Sequence, residues 1–218
     1  MASIVSEPVT VMPIERKDGT YALRLCLNQG LLTPGMTRSV MEIMETYPGV
    51  MLRATTGQRM NLEGVPKDKL DEIVSALGIS IPKCPPGVSV CPGGALCKYG
   101  QQDTREIGDR LLEVVKANGP YPFKVKSGVS GCGMACSLSF VRDIGLVGIA
   151  KGWNVLFGGS ARHRAAPGLR LAKGVSDDEA LATIEKALIY YRDTAKKGER
   201  IGMMVRRLGH EVVADALK

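Results

Sequence analysis

The sequence is poor in histidine and in aromatic side chains. It has two histidines, His163 and His210, among 218 residues, and aromatics make up 5%. So few histidines argue against a histidine-rich metal site and against histidine-centred acid–base catalysis. Without an RNP-like aromatic motif or zinc-finger spacing, the formal net charge of +7 does not indicate nucleic-acid binding. The positive charge fits instead a site for small polyanionic molecules, whose charge the cations offset.

Long apolar segments are also missing. No apolar run approaches the roughly 20 residues that cross a bilayer. Residues 1–7 lack a basic segment followed by an apolar core, which is the mark of a secretory signal. The sequence therefore predicts a cytoplasmic protein with no membrane partner. Low-complexity segments and internal repeats are not seen either.

The first 80 residues alternate strand-like and helix-like stretches. Turn residues Lys17-Asp18-Gly19 and Thr33-Pro34-Gly35 separate them. The pattern predicts a compact α+β domain over residues 1–80. Its predicted strands are residues 9–14, 21–27 and 50–62, and its predicted helices are residues 36–46 and 66–77.

A Pro- and Gly-rich stretch, residues 81–94, marks the junction to a second predicted domain over residues 81–218. Ser176 and Glu179 have the spacing of a capping box, which predicts a long helix reaching about Lys197. The other predicted elements are a helix over residues 98–118, strands over 123–129, 144–150 and 154–157, a loop over 158–168 and a helical tail over 199–217.

Six cysteines need an explanation in a reducing compartment, where clustered thiols more often bind metal or do chemistry than form disulfides. Four of them form two pairs, Cys91 with Cys97 and Cys132 with Cys136. Neither pair has the two-residue gap of zinc knuckles, of a haem attachment site or of a dithiol redox motif. Two pairs meeting in space suffice for a cubane iron–sulfur cluster. Glycines around both pairs would let backbone N–H groups approach the cluster sulfurs.

The other two cysteines have simpler interpretations. Cys26 lies in an apolar strand-like stretch and is predicted to be a buried structural thiol, since free cysteine is among the most buried residue types. Cys84 precedes the first pair by seven positions. It is interpreted as a spare thiol in preference to an alternative cluster ligand.

With these residues in view, the sequence resembles the sirohaem-dependent nitrite and sulfite reductase family. That family has a C-x5-C pair followed by a C-x3-C pair, which match residues 91–97 and 132–136 here. The resemblance covers nearly the whole chain. Its other parts are residues 52–58, the basic stretch 122–132, the Gly158–Gly159 pair, and residues 198–202 with 207–209. The chain length and the single copy of the unit resemble the small, single-subunit assimilatory-type sulfite reductases of sulfate-reducing bacteria.

The resemblance implies a fold, two cofactors and a reaction. The fold is α+β, with a ferredoxin-like N-terminal half packed on an α/β domain that binds sirohaem and a [4Fe-4S] cluster. The four paired cysteines would be the cluster ligands, and Cys136 would also bridge the cluster to the sirohaem iron. Sulfite would bind on the opposite face of that iron and take six electrons from a low-potential donor such as a ferredoxin. Gly158, Gly159, Arg162 and Arg164 are candidates to contact the sirohaem, with an exposed loop as the other interpretation of the arginines.

Lys124 and Lys126 lie where the family has basic residues around the oxyanion. On an extended strand their side chains project to the same face, as two residues acting on one ligand must. A lysine whose pKa is lowered by neighbouring cations could also donate protons as S–O bonds break. A solvated strand face is the alternative interpretation.

The sequence departs from the family in the first half. Gly57 stands where the family has an arginine, so the anion contact is missing or comes from Arg53 or Arg59. Both could equally be exposed strand residues. Residues 86–90 also lack an arginine that relatives have. If a second copy of the unit is needed to complete the site, a homodimer could supply it.

Two other classes of function stay open at this point. The chain could be an iron–sulfur electron carrier without sirohaem, or a module whose cysteines hold zinc. Within the reductase interpretation, nitrite is the neighbouring substrate, because both oxyanions are compact and take six electrons. The sequence predicts sulfite reduction, with nitrite reduction as the alternative.

Overall fold

The computed structural model describes residues 6–163 and 165–218. The chain divides into two compact units, Met1–Pro85 and Pro86–Lys218. Each unit has one five-stranded sheet and its own hydrophobic core.

The first unit is a mixed sheet with two helices. Its strands lie in the order β3-β4-β2-β1-β5, and all neighbours are antiparallel except β1 and β5. Leu23, Leu25 and Leu62 of the sheet and Ile73 and Leu77 of the second helix are almost fully buried in its core. The elements are β1 (Val9–Glu15), β2 (Tyr21–Leu25), α1 (Pro34–Thr46), β3 (Met51–Ala54), β4 (Met60–Val65), α2 (Leu70–Leu77) and β5 (Gly78–Ser80).

Helix α1 begins where local chemistry favours it. The Thr33 side chain accepts a hydrogen bond from the Met36 N–H at 3.1 Å, and Pro34 occupies the first turn. A 3-10 turn, Lys67–Lys69, precedes α2, so the predicted helix over residues 66–77 is regular only in its second part.

The single strand predicted over residues 50–62 is wrong, because the chain turns back on itself there. Strands β3 and β4 form an antiparallel hairpin in which Leu52 pairs with Leu62. The turn is closed by the Thr55 N–H, which donates to the Arg59 carbonyl at 2.8 Å, and Gln58 takes a positive φ of 54°. Gly57 within the stretch was the available turn signal.

The predictions of free thiols at Cys26 and Cys84 are also wrong. The two cysteines form a disulfide within the first unit, with Cα atoms 5.6 Å apart. Cys26 follows β2 and is only partly buried, so it is not a core thiol. The bond closes a loop with a sequence separation of 58 residues, which by loop-closure entropy contributes about 4 kcal/mol to stability.

The second unit is a half-parallel sheet in the order β10-β9-β8-β7-β6. Strands β6, β7 and β8 are parallel neighbours, and β9 and β10 continue the sheet in antiparallel fashion. The strands are β6 (Val88–Val90), β7 (Ser127–Ser130), β8 (Ile144–Ile149), β9 (Gly152–Phe157) and β10 (Leu169–Val175). Trp153, Phe157 and Ile144 are buried in its core. Strand β10 was missed in the sequence, and its pairing with β9 contains register shifts.

Helices of the second unit are α3 (Gly93–Leu96), α4 (Arg105–Ala117), α5 (Asp177–Thr194), α6 (Ile201–Leu208) and α7 (His210–Ala216). The capping box at α5 is confirmed: Ser176 accepts from the Glu179 N–H, and the Glu179 carboxylate accepts from the Ser176 N–H. Helix α4 begins seven residues later than predicted, because residues 98–104 form tertiary backbone contacts instead. In the part of the chain described, no helix combines the length and apolar character that crossing a bilayer needs.

Candidate metal centre

Two adjacent parallel strands bring the two cysteine pairs to one edge of the second sheet. Cys91 directly follows β6, and Cys132 follows β7 by two residues. In the β6–β7 ladder Val90 pairs with Val129, and the Cys91 N–H extends it by donating to the Val129 carbonyl at 3.1 Å. Parallel strands end at the same edge of a sheet, so the start of each pair lies there.

The Cys91 sulfur already has a backbone donor. The Gly131 N–H donates to Cys91 Sγ at 3.2 Å, which links the loop before the second pair to the first cysteine. Such N–H groups stabilise negative charge on a thiolate and tune the potential of a cluster bound to it. Cys97 ends the short helix α3, and its N–H donates to the Gly93 carbonyl at 2.8 Å.

The loops that contain the two pairs interlock through glycine backbone. The N–H groups of Gln101 and Gln102 both donate to the Gly131 carbonyl, at 2.7 and 3.0 Å. A Cβ atom on Gly131 would lie 2.6 Å from the Gln102 carbonyl oxygen, and one on Gly100 would lie 2.5 Å from the Gly94 nitrogen. Only glycine fits at such backbone distances, so these residues set the approach of one loop to the other.

The backbone from Cys132 to Leu138 takes an uncommon conformation at two positions. Ala135 and Leu138 take positive φ values of 50° and 62°, in the left-handed region that non-glycine residues rarely adopt. The Ala135 N–H donates to the Cys132 carbonyl at 3.2 Å. Strained backbone of this kind clusters at functional sites, where surrounding structure maintains it.

All four cysteines of the two pairs are free thiols, with Cys136 exposed and the other three partly buried. Among residues 6–163 and 165–218, no three His, Cys, Asp or Glu side chains converge on the position of a single metal ion. A cubane cluster takes four thiolates in total. Four free thiols on two interlocked glycine-rich loops, one already accepting a backbone N–H, are a donor set that fits such a cluster. The assignment of the four as ligands stays a prediction.

Gly131 allows a direct test of the interlocked loops. We expect Gly131→Ala to lower the free energy of unfolding by about 1–3 kcal/mol, the usual range for overpacking, and to reduce the iron and sulfide content of anaerobically purified protein. The matched control is Gly133→Ala, because a Cβ there meets nothing within 4 Å. Thermal unfolding and metal analysis compare the two variants. Equal stability and iron content in both would contradict the role given to Gly131.

Lys124 and Lys126 lie in the segment that leads into β7, and the strand predicted over residues 123–129 begins only at Ser127. The two lysines are exposed and Val125 between them is 8% exposed. Both side chains are therefore accessible from solvent, and their role at the oxyanion stays a prediction. The Lys126 backbone is held on both sides, with its N–H donating to Asp143 Oδ2 at 2.9 Å and its carbonyl accepting from the Ile144 N–H at 3.2 Å.

Cations and partial desolvation lower the pKa of Lys126. Burial is the largest cause, followed by the charges of Arg142, Arg200 and Lys124, while Asp143 acts in the opposite direction. Burial likewise lowers the pKa of Arg142. A lower pKa makes the Lys126 ammonium a stronger acid, so the shift is in the direction that favours proton donation.

Asp143 is a buried carboxylate at the centre of this group. It is 1% exposed and forms an ion pair with Arg200, whose side chain is 17% exposed. Its backbone carbonyl accepts from the Gly158 N–H at 2.8 Å. Sequence reasoning missed Asp143, Arg142 and Arg200. The only signal was an acid directly before the apolar strand β8.

Neither residue of the Gly158–Gly159 pair has room for a side chain. Gly158 has a positive φ of 81°, and a Cβ atom on Gly159 would lie 2.5 Å from the Phe140 carbonyl oxygen. Gly159 and Arg162 line a small, open surface pocket. Its other lining residues are Asp143, Ser160, Arg200, Gly202, Met203 and Arg206. The structure thus brings two predicted site residues to one cationic pocket, and it adds Arg200 and Arg206. Arg164, the other arginine predicted to contact sirohaem, lies outside the described residues.

Arg53 and Arg59 belong to the first unit. Arg53 is exposed and its Nε donates to Glu63 Oε2 at 2.6 Å, so its charge is already paired. Arg59 is partly buried; its Nη2 donates to the Pro85 carbonyl at 2.9 Å, and its buried Nη1 has no hydrogen-bond partner within the described chain. Burial, and then the charge of Arg24, lower the pKa of Arg59.

Two family descriptions match the chain. "Nitrite and sulphite reductase 4Fe-4S domain" matches residues 83–218, and "Nitrite/Sulfite reductase ferredoxin-like half domain" matches residues 14–78. Between them they cover most of both compact units.

Individual relatives agree with these matches. An assimilatory-type sulfite reductase of Nitratidesulfovibrio vulgaris is 35% identical over 208 residues, which are 94% of this chain and 95% of the relative. A nitrite reductase [NAD(P)H] of Bacillus subtilis is 31% identical over 93% of this chain, but this chain spans only 26% of it.

Solved structures show the same fold at lower identity. The NirA protein of Mycobacterium tuberculosis superposes with a TM-score of 0.73 at 21% identity, over 100% of this chain and 43% of that one. Dissimilatory sulfite reductase I superposes with a TM-score of 0.72 at 13% identity, over 90% of this chain and 68% of that one. The predicted fold class, α+β with a ferredoxin-like half domain and an α/β cluster-binding domain, is confirmed.

Proposed function

The chain belongs to the nitrite and sulfite reductase family, and we propose that it is a sulfite reductase that reduces sulfite to sulfide with six electrons. The resemblance seen in the sequence and the assignment to the oxidoreductases are confirmed by this membership. The cofactor prediction, sirohaem with a [4Fe-4S] cluster, is confirmed for the family to which the chain belongs.

One observation carries the proposal: an exposed lysine with a lowered pKa lies among cations on the segment that leads to the second cysteine pair. The charges of Arg142, Arg200 and Lys124 act on the Lys126 ammonium and lower its pKa, and Asp143 opposes them. Cations attract a compact oxyanion, and each S–O bond that breaks consumes protons. In this proposal Lys126 donates protons to the departing oxygen, and Lys124 and Arg142 hold the anion's charge.

The cysteines would hold the electron-transfer group beside that site. When bound, the cluster and the sirohaem supply electrons and the iron on which the substrate is reduced. Cys91, Cys97, Cys132 and Cys136 would ligate the cluster. Cys136, the exposed member of the four, would also bridge to the sirohaem iron.

Arginine side chains would form ion pairs and hydrogen bonds with the carboxylates of the sirohaem macrocycle. Arg162, with Arg206 in the same pocket, supports this assignment, since guanidinium groups bind carboxylates through paired N–H donors. Arg200 lines the same pocket but is already paired with Asp143. In the first unit, Arg59 is the better candidate than Arg53 for the anion contact missing at Gly57. Its Nη1 has no hydrogen-bond partner among the residues that the structure describes, whereas Arg53 is paired with Glu63.

The share of each relative's length that matches this chain favours sulfite over nitrite as the substrate. The sulfite reductase relative is matched over 95% of its length, whereas the Bacillus nitrite reductase is matched over 26%. A low-potential donor such as a ferredoxin would supply the electrons.

The test is optical and kinetic. Protein purified without oxygen is expected to show the red-region band of a reduced macrocycle together with broad cluster absorption. With a reduced viologen dye it is expected to form sulfide from sulfite, with a higher kcat/KM for sulfite than for nitrite. A higher kcat/KM for nitrite would make the chain a nitrite reductase. Iron and acid-labile sulfide without the macrocycle band would indicate an electron carrier and contradict the reductase proposal.

A further inference from the structure

Asp143 is a buried residue whose contacts link four segments of the second unit. It precedes β8, its carboxylate contacts the Lys126 backbone and the Arg200 side chain, and its carbonyl accepts from Gly158. At 1% exposure it has almost no contact with solvent. Neither the cysteine motifs nor the basic stretch had drawn attention to it.

Asp143 and Ile144 hold the backbone of Lys126 in place. Asp143 Oδ2 accepts from the Lys126 N–H at 2.9 Å, and the Ile144 N–H donates to the Lys126 carbonyl at 3.2 Å. Both peptide groups of Lys126 are therefore anchored, although its side chain is exposed. A lysine side chain is flexible, so an anchored backbone limits where its ammonium can reach.

The same carboxylate also binds the side chain of Arg200. Arg200 Nε donates to Asp143 Oδ1 at 3.2 Å, and Arg200 Nη2 pairs with Oδ2. Arg200 precedes α6 and lines the cationic pocket with Gly159. Two-point pairing fixes the plane of a guanidinium, so Asp143 fixes the orientation of Arg200 at the wall of this pocket.

We propose that Asp143 is a positioning residue for sulfite reduction: it anchors Lys126 through its backbone and orients Arg200 beside it. This inference rests on the proposed function. Asp143 would not touch the substrate, but would act through these two cations. A buried ion pair by itself is weak evidence for a role in stability, because desolvation offsets much of its attraction. Sharing one carboxylate between a lysine backbone and an arginine fits a role in arranging charges.

The charged groups near Lys126 predict the direction in which its pKa changes in each variant. They are Lys124 on its own segment, Arg142 and Asp143 before β8, and Arg200 before α6. Asp143 raises the pKa of Lys126, and Arg200 lowers it. A purely structural role would damage the site in the same direction when either residue is changed.

The experiment measures sulfite binding to the oxidised holoenzyme by its absorption change, and kcat/KM, both as functions of pH. In Asp143→Asn the pKa of Lys126 should fall further, so the alkaline loss of binding and of kcat/KM moves to lower pH. In Arg200→Gln the pKa should rise, and the same loss moves to higher pH. The ionisation of sulfite is common to all variants and cancels in the comparison. At neutral pH, sulfite dissociation constants are expected to rise about tenfold in Asp143→Asn.

Asp178→Asn is the matched control. It removes the carboxylate of another Arg–Asp pair in the same unit, with Arg110, but Asp178 is 85% exposed and does not contact Lys126. Its pH profiles should match those of the wild type. Cofactor absorption and thermal unfolding of each variant establish that it is folded and loaded.

The proposal is supported if the pH profiles move to lower pH in Asp143→Asn and to higher pH in Arg200→Gln. Unmoved profiles, or shifts in the same direction, overturn it while leaving sulfite reduction by the wild type intact. If Asp143→Asn does not fold, Arg200→Gln decides by itself: a shift to higher pH supports the proposal and no shift overturns it. A wild-type holoenzyme that neither binds nor reduces sulfite overturns the proposed function, and with it this inference.

Discussion

Replacing Cys136 with serine is expected to abolish sulfite reduction and to remove or uncouple both cofactors. The proposed role of Cys136 is double, as a cluster ligand and as the bridge to the sirohaem iron. Serine is a harder ligand than thiolate and does not take over soft-metal binding, so both connections should fail together. Iron and sulfide content, the absorption spectrum and paramagnetic resonance of anaerobic protein measure the loss.

The chain contains its own control for cysteine replacement. Changing Cys26 and Cys84 together to serine removes two sulfurs but only the disulfide of the first unit. That variant should retain both cofactors and lose about 4 kcal/mol of stability at most. Retention of a magnetically coupled cluster and macrocycle in Cys136→Ser would show that the bridging assignment is wrong.

Replacing Lys126 with methionine is expected to lower kcat/KM for sulfite by a hundredfold or more, within the roughly 10²–10⁴ range of a general acid. Methionine preserves much of the length of the side chain and its packing, but has neither the charge nor the proton. Lys126→Arg separates the two roles. It retains the charge, so KM should change little, but arginine does not give up its proton near neutral pH, so kcat should fall.

Lys116→Met is the matched control for Lys126. Lys116 lies in the last turn of α4 and is paired with Glu113 on the surface. Surface pairs of this kind contribute little, so the variant should retain wild-type kcat and KM. Equal kinetics for Lys126→Met and Lys116→Met would remove Lys126 from the proposed mechanism and leave it as a solvated side chain.

Some parts of the structure could be predicted because a few neighbouring residues decide them. The capping box at Ser176 and Glu179 consists of local hydrogen bonds whose partners are three residues apart. The cysteine spacing is equally local, and with the basic stretch before Cys132 it was sufficient to recognise the family, the fold class and the cofactors.

Predictions failed where distant contacts override local preference. Residues 98–104 resemble the start of a helix, but Gln101 and Gln102 donate to Gly131 instead. Cys26 resembles a core thiol, but the fold places it next to Cys84, 58 positions away. In both cases the deciding partner is remote in the chain, and no local pattern contains it.

The sequence by itself therefore determined the family and its cofactors and supplied the candidate ligands, because ligand type and spacing are properties of short motifs. The tertiary structure decided how the surrounding charges are arranged. Asp143 and Arg200 are separated by 57 positions, yet share one ion pair that also holds the Lys126 backbone. The pKa of Lys126 depends on the fields of side chains from several segments, and such fields fall off with distance in space rather than along the chain.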